Sequence, residues 1–228
     1  MKRSKVNEII ERSDEFIRSF GYRLPPFAYL APGEMQTRKS ELAGITDARL
    51  GWDITDYGGG DFDSLGLFLF TVRNGRVADL QEGRGMLYAE KIMISRRNQV
   101  SPLHRHVIKA EDIINRGGGT LVVELFEMAG DGSPDSASAV EVPCDGIMRK
   151  VQAGGRIALQ PGESVTLLPG IWHSFWAEGE DVLIGEVSTV NDDEHDNIFA
   201  EPVSRFSDIE EDCEPLRLLV SDYRHWLA

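Results

Sequence analysis

Cysteine is scarce in this sequence, and long apolar runs are absent. Cys144 and Cys213 are the two cysteines among 228 residues, and they have no CxxC spacing. Neither a disulfide framework nor a thiolate zinc site is therefore expected, and a reducing compartment fits best. No apolar stretch approaches the roughly 20 residues that cross a bilayer, and the charged N-terminal segment does not resemble a signal peptide. We expect a soluble, cytoplasmic protein without a membrane partner.

Basic residues are also few. Lys and Arg total 24 against 38 Asp and Glu, which gives a formal net charge of −14 at pH 7. Such a surface repels nucleic-acid phosphates and anionic lipids unless a basic patch offsets it, and the sequence contains no such patch. Nucleic-acid binding is therefore excluded, and we expect a small, neutral or cationic partner molecule.

The sequence does contain enough apolar residues for a sizeable core, at 41% of the chain. Apolar residues recur at helical spacing over residues 2–20, which predicts an amphipathic helix. From Leu50 onward, short β-branched and aromatic runs separated by glycine predict an antiparallel sandwich or small barrel. Asn74–Gly75 predicts a hairpin turn, and Gly117–Gly119 predicts a tight barrel turn.

Two histidines alternate along one of the predicted strands. Because alternate side chains of a strand share a face, His104 and His106 can point into one interior, with Cα atoms about 6.6 Å apart. Glu111 follows five residues later, where its carboxylate can add an oxygen ligand. An isolated HxH pattern in a strand is more often just two polar side chains, so this pair alone does not establish a metal site.

A second motif favours the metal site. In PGESVTLLPGIWHSFW, one Pro-Gly turn begins a short apolar strand, another ends it, and His173 opens the next strand. The combined set of His104, His106, Glu111 and His173 offers three imidazoles and one carboxylate, which suit Mn, Fe, Co, Ni or Zn. We therefore predict a metal centre with positions left open for water or substrate.

At these residues the chain resembles the cupin superfamily. The two cupin motifs are matched by HRHVIKAEDIINRG and GESVTLLPGIWH, although Pro169 and Gly170 are adjacent where the common pattern separates them by one residue. The segments KAEDIINRGGG, LQPGESVTLLPGIWHSFW, GEVSTVNDDEHDNIF and RFSDIEED are more specific, and they are similar to the D-lyxose ketol-isomerase family. A cupin motif by itself does not define a function, whereas this similarity runs over most of the chain.

The resemblance implies a mainly β fold, a cupin (jelly-roll) β-barrel with an N-terminal helical extension and a C-terminal lid or helix. We expect a single cupin-type domain over residues 1–228, with an N-terminal helix and added strands (1–85), the barrel core (86–190) and a lid segment (191–228). The resemblance also implies an aldose–ketose isomerase that interconverts D-lyxose and D-xylulose, and often D-mannose and D-fructose. Its cofactor is then a divalent metal, typically Mn2+, with Co2+, Ni2+, Fe2+ or Zn2+ as alternatives.

This chemistry requires a base, an electrophile for the enediolate and a pocket that holds hydroxyl groups. A bound cation can serve as the electrophile. Lys109 lies between two predicted ligands and is a candidate catalytic residue. Glu210 and Glu211 are candidate bases if the tail folds over the barrel mouth, although they can equally form a solvated acidic turn. Glu124 and Glu186 come next, because they lie within apolar strands and need a polar interior.

Trp172, Asp193 and Arg205 are the candidate substrate-binding residues. Aromatic faces pack against the C–H surfaces of sugars. Strand alternation, however, places Trp172 on the face opposite His173, which is typical of a core residue. Asp193 and Arg205 can bind sugar hydroxyls or hold the tail closed.

Two other functions remain open at this point. A metal-dependent dioxygenase could use the same ligand set with Fe(II), and a non-catalytic sugar-binding cupin could keep the ligands without turnover. A homodimer is also expected, because cupins often pair through their sheets and symmetric dimers are the commonest oligomers. The N-terminal helix and residues 64–80 are the predicted contact surface.

Overall fold

Antiparallel strands dominate the structure, a computed structural model that describes residues 1–227. The strands are β1 (Gly51–Thr55), β2 (Leu67–Arg73), β3 (Tyr88–Ser95), β4 (Ser101–His106), β5 (Glu111–Met128), β6 (Pro134–Asp135), β7 (Val140–Cys144), β8 (Ile147–Val151), β9 (Gly155–Leu159), β10 (Ser164–Leu167), β11 (Trp172–Thr189) and β12 (Asn197–Phe199). The α-helices are α1 (Arg3–Ser19), α2 (Pro32–Thr37), α3 (Ala43–Asp47), α4 (Val77–Glu82) and α5 (Tyr223–Trp226), with a 3-10 helix at Pro26–Tyr29. The mainly β prediction is confirmed. Within residues 1–227, no helix is both long and apolar enough to span a bilayer.

Two long strands organise the main sheet. β5 and β11 have 18 residues each and pair along most of their length, from Trp172 opposite Phe126 to Ser188 opposite Glu111. On its other side, β11 pairs first with β4 and then with β3. β2 and β1 continue the sheet beyond β3, β12 adds to β4, and β9 and β10 add to β5. β11 therefore belongs to both halves of a curled sheet, and this sheet encloses the main core.

β11 changes partner at an irregularity around residues 179–181, where its register with β5 shifts. On the facing strand, a Cβ atom at Gly118 would lie 2.0 Å from the carbonyl oxygen of Asp181. Only glycine permits backbones to approach this closely. The three glycines Gly117–Gly119 therefore lie within β5 at a bend, and the predicted tight turn is wrong.

β2 is buried on both faces, which explains its continuous apolar sequence. Leu67 and Leu69 belong to the core inside the sheet, whereas Phe68 and Phe70 belong to a second core beneath α1. The helix contributes buried side chains at the predicted spacing, namely Val6, Ile9, Ile10 and Ile17. Full burial of one such side chain stabilises the fold by about 1.5–3 kcal/mol. The helix predicted over residues 2–20 is confirmed.

The hairpin turn predicted at Asn74–Gly75 is wrong. β2 and β3 are antiparallel neighbours, but α4 lies between them in the chain. The Asn74 side chain donates to the carbonyls of Ala48 at 3.3 Å and Asn191 at 3.0 Å, and it accepts the Asn191 N–H at 3.0 Å. Asn74 thus anchors the segment that follows β11 instead of closing a hairpin.

The C-terminal segment contacts two separate regions of the fold. Its first part adds β12 to the edge of β4. Its second part runs beside α1, where Arg3 is fully buried and bonds the carboxylates of Glu211 at 2.6 Å and Asp222 at 2.9 Å. Of residues 191–227, only the first part lines the cavity inside the curled sheet, through Asp193, Asn197, Phe199 and Arg205, and the helix near the C-terminus is a single turn.

Candidate metal centre and active site

Strand pairing brings three histidines together. His104 and His106 alternate along β4, and His173 on β11 lies directly opposite His104. The ring centroids are 4.2 Å apart for His104 and His173, 5.2 Å for His104 and His106, and 5.5 Å for His106 and His173. One nitrogen from each ring lies within 4.8 Å of the others. The three imidazoles predicted as ligands therefore form one compact cluster.

Backbone carbonyls fix the tautomers of two of these rings. His104 Nδ1 lies 2.8 Å from the Pro102 oxygen, and His173 Nδ1 lies 3.1 Å from the Ile171 oxygen. Because a carbonyl only accepts, each Nδ1 must donate, and in the neutral imidazole this leaves each Nε2 with a free lone pair. Burial, followed by the neighbouring imidazoles, holds the pKa of His104 well below its usual value. Neutral imidazoles of this kind are metal ligands.

The carboxylate of Glu111, at the start of β5, completes the donor set. Its Oε1 atom lies 3.2 Å from His106 Nε2 and 3.1 Å from His173 Nε2. His173 Nε2 and His106 Nδ1 are buried, and no hydrogen bond reaches either atom from residues 1–227. Two acceptors, His173 Nε2 and Glu111 Oε1, thus face each other, which is unfavourable unless a cation lies near both. This donor set fits a divalent transition metal.

Lys109 lies between two buried carboxylates beside the histidine cluster. Its Nζ atom is 2.6 Å from Glu111 Oε2 and 3.0 Å from Glu186 Oε1. All three side chains are less than 5% exposed. Although burial lowers the pKa of Lys109, the charges of Glu111 and Glu186 raise it above its usual value. Burial likewise raises the pKa of Glu111, but the Lys109 ammonium and His106 hold it well below its usual range. The lysine is an ammonium ion and Glu111 a carboxylate.

A second set of charged side chains surrounds Asp193 and Arg205, which belong to the C-terminal segment. Arg205 Nη2 lies 2.7 Å from Asp53 Oδ2 and 3.2 Å from Asp193 Oδ1. Lys91 Nζ donates to Asn191 Oδ1 at 2.7 Å, and it is 3.6 Å from Asp193. Arg205 Nη1 is buried and has no hydrogen-bond partner within the described chain. This group is a free donor for a ligand hydroxyl.

Most of these imidazole and charged side chains line one cavity inside the curled sheet. It contains about 420 Å³ of unfilled space, open mouth included. Its apolar walls include Leu67, Leu69, Met93, Phe175 and Phe199. A cavity with apolar walls and a few convergent polar groups is typical of a small-molecule site.

Seven of the predicted site residues meet in or directly beside this cavity. They are His104, His106, Lys109, Glu111, His173, Asp193 and Arg205. Glu186, which the sequence placed second to the tail acids, also lines the cavity, and Glu124 instead pairs with Arg156 at 3.3 Å. The sequence did not single out Lys91 or Asp53, although a lysine within the apolar strand β3 is a signal of the same kind as Glu186.

Three predicted residues lie elsewhere. Trp172 is buried on the other face of β11, where its indole N–H donates to the Gly132 oxygen at 3.2 Å. Glu211 bonds Arg3 beside α1, and Glu210 is exposed. The tail runs along α1 here because the buried Arg3 requires carboxylate partners. The structure therefore contradicts the placement of Glu210 and Glu211 at the mouth of the barrel and of Trp172 in the cavity.

Comparisons with known proteins find relatives along nearly the whole chain. The family described as D-lyxose isomerase matches residues 1–223. The chain is 48% identical over 232 residues to the D-lyxose/D-mannose isomerase of Serratia proteamaculans, covering 100% of both chains. It is 45% identical over 230 residues to the D-lyxose/D-mannose isomerase of Escherichia coli O157:H7, covering 99% of this chain and 100% of that one.

Solved structures with the same fold include L-ribose isomerases. The enzyme of Cellulomonas parahominis with L-psicose superposes with a TM-score of 0.56 at 16% identity, covering 92% of this chain and 98% of that chain. A variant of the Acinetobacter sp. DL28 enzyme with L-ribose gives a TM-score of 0.57 at 14% identity, with the same coverage. At such identities the likeness concerns the fold alone, and it confirms the predicted cupin architecture.

Proposed function

The chain belongs to the D-lyxose isomerase family, and on this premise we propose that it interconverts D-lyxose with D-xylulose and D-mannose with D-fructose. One observation carries the proposal. Two buried carboxylates, Glu111 and Glu186, flank the Lys109 ammonium beside three convergent imidazoles in a single cavity. An aldose–ketose isomerisation needs a proton acceptor, hydrogen-bond donors for the sugar oxygens and an electrophile, and this arrangement offers a group for each role.

In this proposal His104, His106, Glu111 and His173 hold a divalent metal, which we propose to be Mn2+. The donor set of imidazole and carboxylate is equally compatible with Co2+, Ni2+, Fe2+ or Zn2+. The metal, when bound, supplies the electrophile that polarises the carbonyl and hydroxyl oxygens of the open-chain sugar. The close contact between His173 Nε2 and Glu111 Oε1 supports a cation at this position.

Glu186 is the group that we propose to move the proton between C2 and C1. Its carboxylate faces the cavity and is held by Lys109 at 3.0 Å and by the Ser188 hydroxyl at 3.1 Å. Taking the proton from C2 of the aldose gives a cis-enediolate, the proton of the C2 hydroxyl then passes to O1, and returning the carbon proton to C1 gives the ketose. Lys109 acts as a hydrogen-bond donor to the sugar oxygens, since its ion pairs keep the ammonium form. Glu186 thus replaces Glu210 and Glu211 in the catalytic role.

Asp193 and Arg205 bind the remaining sugar hydroxyls. Arg205 Nη1 is a buried donor without a partner in the described chain, and Asp193 offers an acceptor beside it. Lys91, Lys109 and Arg205 each lie within 4 Å of a carboxylate. Within residues 1–227, the charge of each of these cavity cations is thus balanced by a carboxylate, which favours a neutral sugar over a sugar phosphate.

The decisive experiment is NMR of D-lyxose in D2O with chelator-stripped protein, with and without added Mn2+. We expect D-xylulose to form only with metal and to contain deuterium at C1, because the proton on Glu186 exchanges with solvent. Formation of ketose without deuterium would point to a shielded proton or a hydride shift instead. No ketose from lyxose or mannose with any of the five metals would refute the isomerase.

We also propose a cytoplasmic homodimer, whose contact would use groups other than the apolar face of α1 and the buried strand β2. The apolar face of α1 and the strand β2 are buried within the chain itself. Both cysteines are free thiols, Cys144 buried and Cys213 exposed, which supports a reducing compartment. Sedimentation velocity at micromolar concentration tests the dimer, and a single species of 25.4 kDa would contradict it.

A further inference from the structure

One carboxylate holds the loop between two of the proposed metal ligands. Residues 107–110 connect the last residue of β4 to the first residue of β5. Through Oδ1, Asp196 accepts the N–H groups of Val107 at 2.9 Å and Ile108 at 2.7 Å. Through Oδ2, it accepts the N–H of Lys109 at 2.9 Å. Asp196 is 5% exposed and belongs to the turn between β11 and β12.

The fourth amide of this loop is held by the same part of the chain. The N–H of Ala110 donates to Thr189 Oγ1 at 3.2 Å, and the Thr189 N–H donates back to the Ala110 oxygen at 2.9 Å. Thr189 is the last residue of β11. Every backbone N–H of residues 107–110 therefore donates a hydrogen bond to an acceptor within residues 189–196.

Apolar packing does not hold this loop. Val107 is 51% exposed and Ile108 is 50% exposed, whereas Lys109 is 3% exposed. The loop thus directs one side chain into the cavity and leaves two apolar side chains half in solvent. Because the side chains contribute little burial, the backbone hydrogen bonds to Asp196 determine where the loop lies and where the Lys109 side chain starts.

We propose that Asp196 is a positioning residue for the isomerase. It fixes residues 107–110 so that Lys109 Nζ stays between the carboxylates of Glu111 and Glu186, and so that the ligands at either end of the loop keep their spacing. This role rests on the proposed isomerase function, in which Lys109 donates to the sugar oxygens. Supporting groups of this kind change activity or metal affinity by about 10- to 100-fold when they are removed.

Asp196→Asn tests the proposal with little change of volume. The amide oxygen can still accept from Val107 and Ile108, but the NH2 group then faces the N–H of Lys109, and two donors cannot bond. The matched control is Asp135→Asn, since Asp135 Oδ1 also accepts two backbone N–H groups, from Ala137 at 2.7 Å and Ser138 at 3.3 Å, outside the cavity. Thr189→Val is a milder variant that removes only the acceptor for Ala110.

The measurements are kcat and KM for D-lyxose at saturating Mn2+, the Kd for Mn2+ from the EPR signal of the free ion, and Tm. We expect Asp196→Asn to lower kcat by about 10- to 100-fold with little change in KM, and to weaken Mn2+ binding. Thr189→Val should show the same pattern more weakly and provides the test if Asp196→Asn does not fold. Asp135→Asn should leave kcat and Kd unchanged.

A lower Tm with unchanged kcat and Kd would overturn the proposal, because it would show a structural role only. If Asp196→Asn failed to fold and Thr189→Val left kcat and Kd unchanged, the proposal would be overturned as well. If the unsubstituted protein isomerised no sugar, the proposed function would fail. The Kd for Mn2+ in the same variants would then still decide whether Asp196 positions the loop between the ligands.

Discussion

His173 Nε2 and Glu111 Oε1 lie 3.1 Å apart, and both atoms are acceptors when the imidazole is neutral. The Nδ1 atom of His173 donates to the Ile171 carbonyl, so in the neutral ring Nε2 presents a lone pair to the carboxylate. The contact links the two cupin motifs of the chain, since one atom comes from β5 and the other from β11. A cation shared by both atoms turns this repulsion into an attraction.

We therefore expect Mn2+ to raise the Tm of the chelator-stripped protein. A ligand at 100 times its Kd stabilises the folded state by about 2.7 kcal/mol. His173→Ala should abolish most of this shift, which differential scanning calorimetry measures without any substrate. His195→Ala is the control, because its side chain is 76% exposed and it lies outside the cavity. Equal Mn2+ shifts in both variants would place the ion elsewhere.

Glu186→Gln should lower kcat for D-lyxose by about 10²- to 10⁴-fold, the usual contribution of a general base. The glutamine can keep a hydrogen bond to Lys109 but cannot accept a proton from carbon. Glu124→Gln is the matched control, because Glu124 also lies in a long strand but bonds Arg156 at the surface. A kcat within about twofold of the unsubstituted protein for Glu186→Gln would assign the proton transfer to another group.

Arg205→Lys should raise KM for D-lyxose and D-mannose by about tenfold or more, the scale of one lost hydrogen bond to a charged group. Lysine keeps the charge that Asp53 and Asp193 require, but it lacks the fork that presents Nη1 to the cavity. Arg156→Lys changes an arginine that is 60% exposed and should leave KM unchanged. Steady-state kinetics on both sugars gives the comparison, and an unchanged KM in Arg205→Lys would remove Arg205 from sugar binding.

Glu211 should contribute to stability above its unfolded pKa and lose this contribution in acid. The hydrogen bond from Arg3 lowers the pKa of Glu211 below its usual value of 4.5. A lowered folded-state pKa stabilises the fold at neutral pH, and the gain disappears as the pH falls below about 4.5 and through the folded-state pKa. Because the side chain is 45% exposed, the gain is under about 1 kcal/mol.

Urea unfolding of Glu211→Gln from pH 7 to pH 3 checks this expectation. The free energy of unfolding should differ from that of the unsubstituted protein at pH 7, and the two curves should converge in acid. Glu8→Gln provides a control on the exposed side of α1, where Glu8 is 50% exposed and pairs within the helix. A difference that stayed constant down to pH 3 would exclude a link to the ionisation of Glu211.

The proposed metal ligands were predictable because each of the two motifs that contain them is local. Alternation along one strand places His104 and His106 on one face, and the turn before His173 starts a strand that pairs with it. Glu186 was not predictable in the same way. It lies an odd number of positions after His173, so a regular strand would place the two on opposite faces. The irregularity at residues 179–181 reverses the alternation and brings both inside.

The path of the C-terminal segment could also not be predicted from the sequence. An acidic segment after the last barrel strand is compatible with a lid or with a surface turn, and local residues do not distinguish them. Arg3 determines the path of this segment. It lies more than 200 positions away in the chain and is buried against the carboxylates of Glu211 and Asp222. Long-range ion pairs of this kind leave no periodic signal. The prediction of a hairpin turn at Asn74–Gly75 was wrong for a related reason, since Asn74 forms a hydrogen bond with the distant Asn191.

The alternation along β2 has a consequence for protein engineering. Leu67 and Leu69 form part of the cavity wall, and their neighbours Phe68 and Phe70 support α1 from the other side of the same strand. Mutagenesis libraries at the two leucines can therefore enlarge or reshape the space for longer or branched sugars while the aromatic platform under the helix keeps its composition. Because the two leucines also belong to the core inside the sheet, a smaller side chain at either position lowers stability by about 2–5 kcal/mol, whereas the contact between β2 and α1 is left as it is.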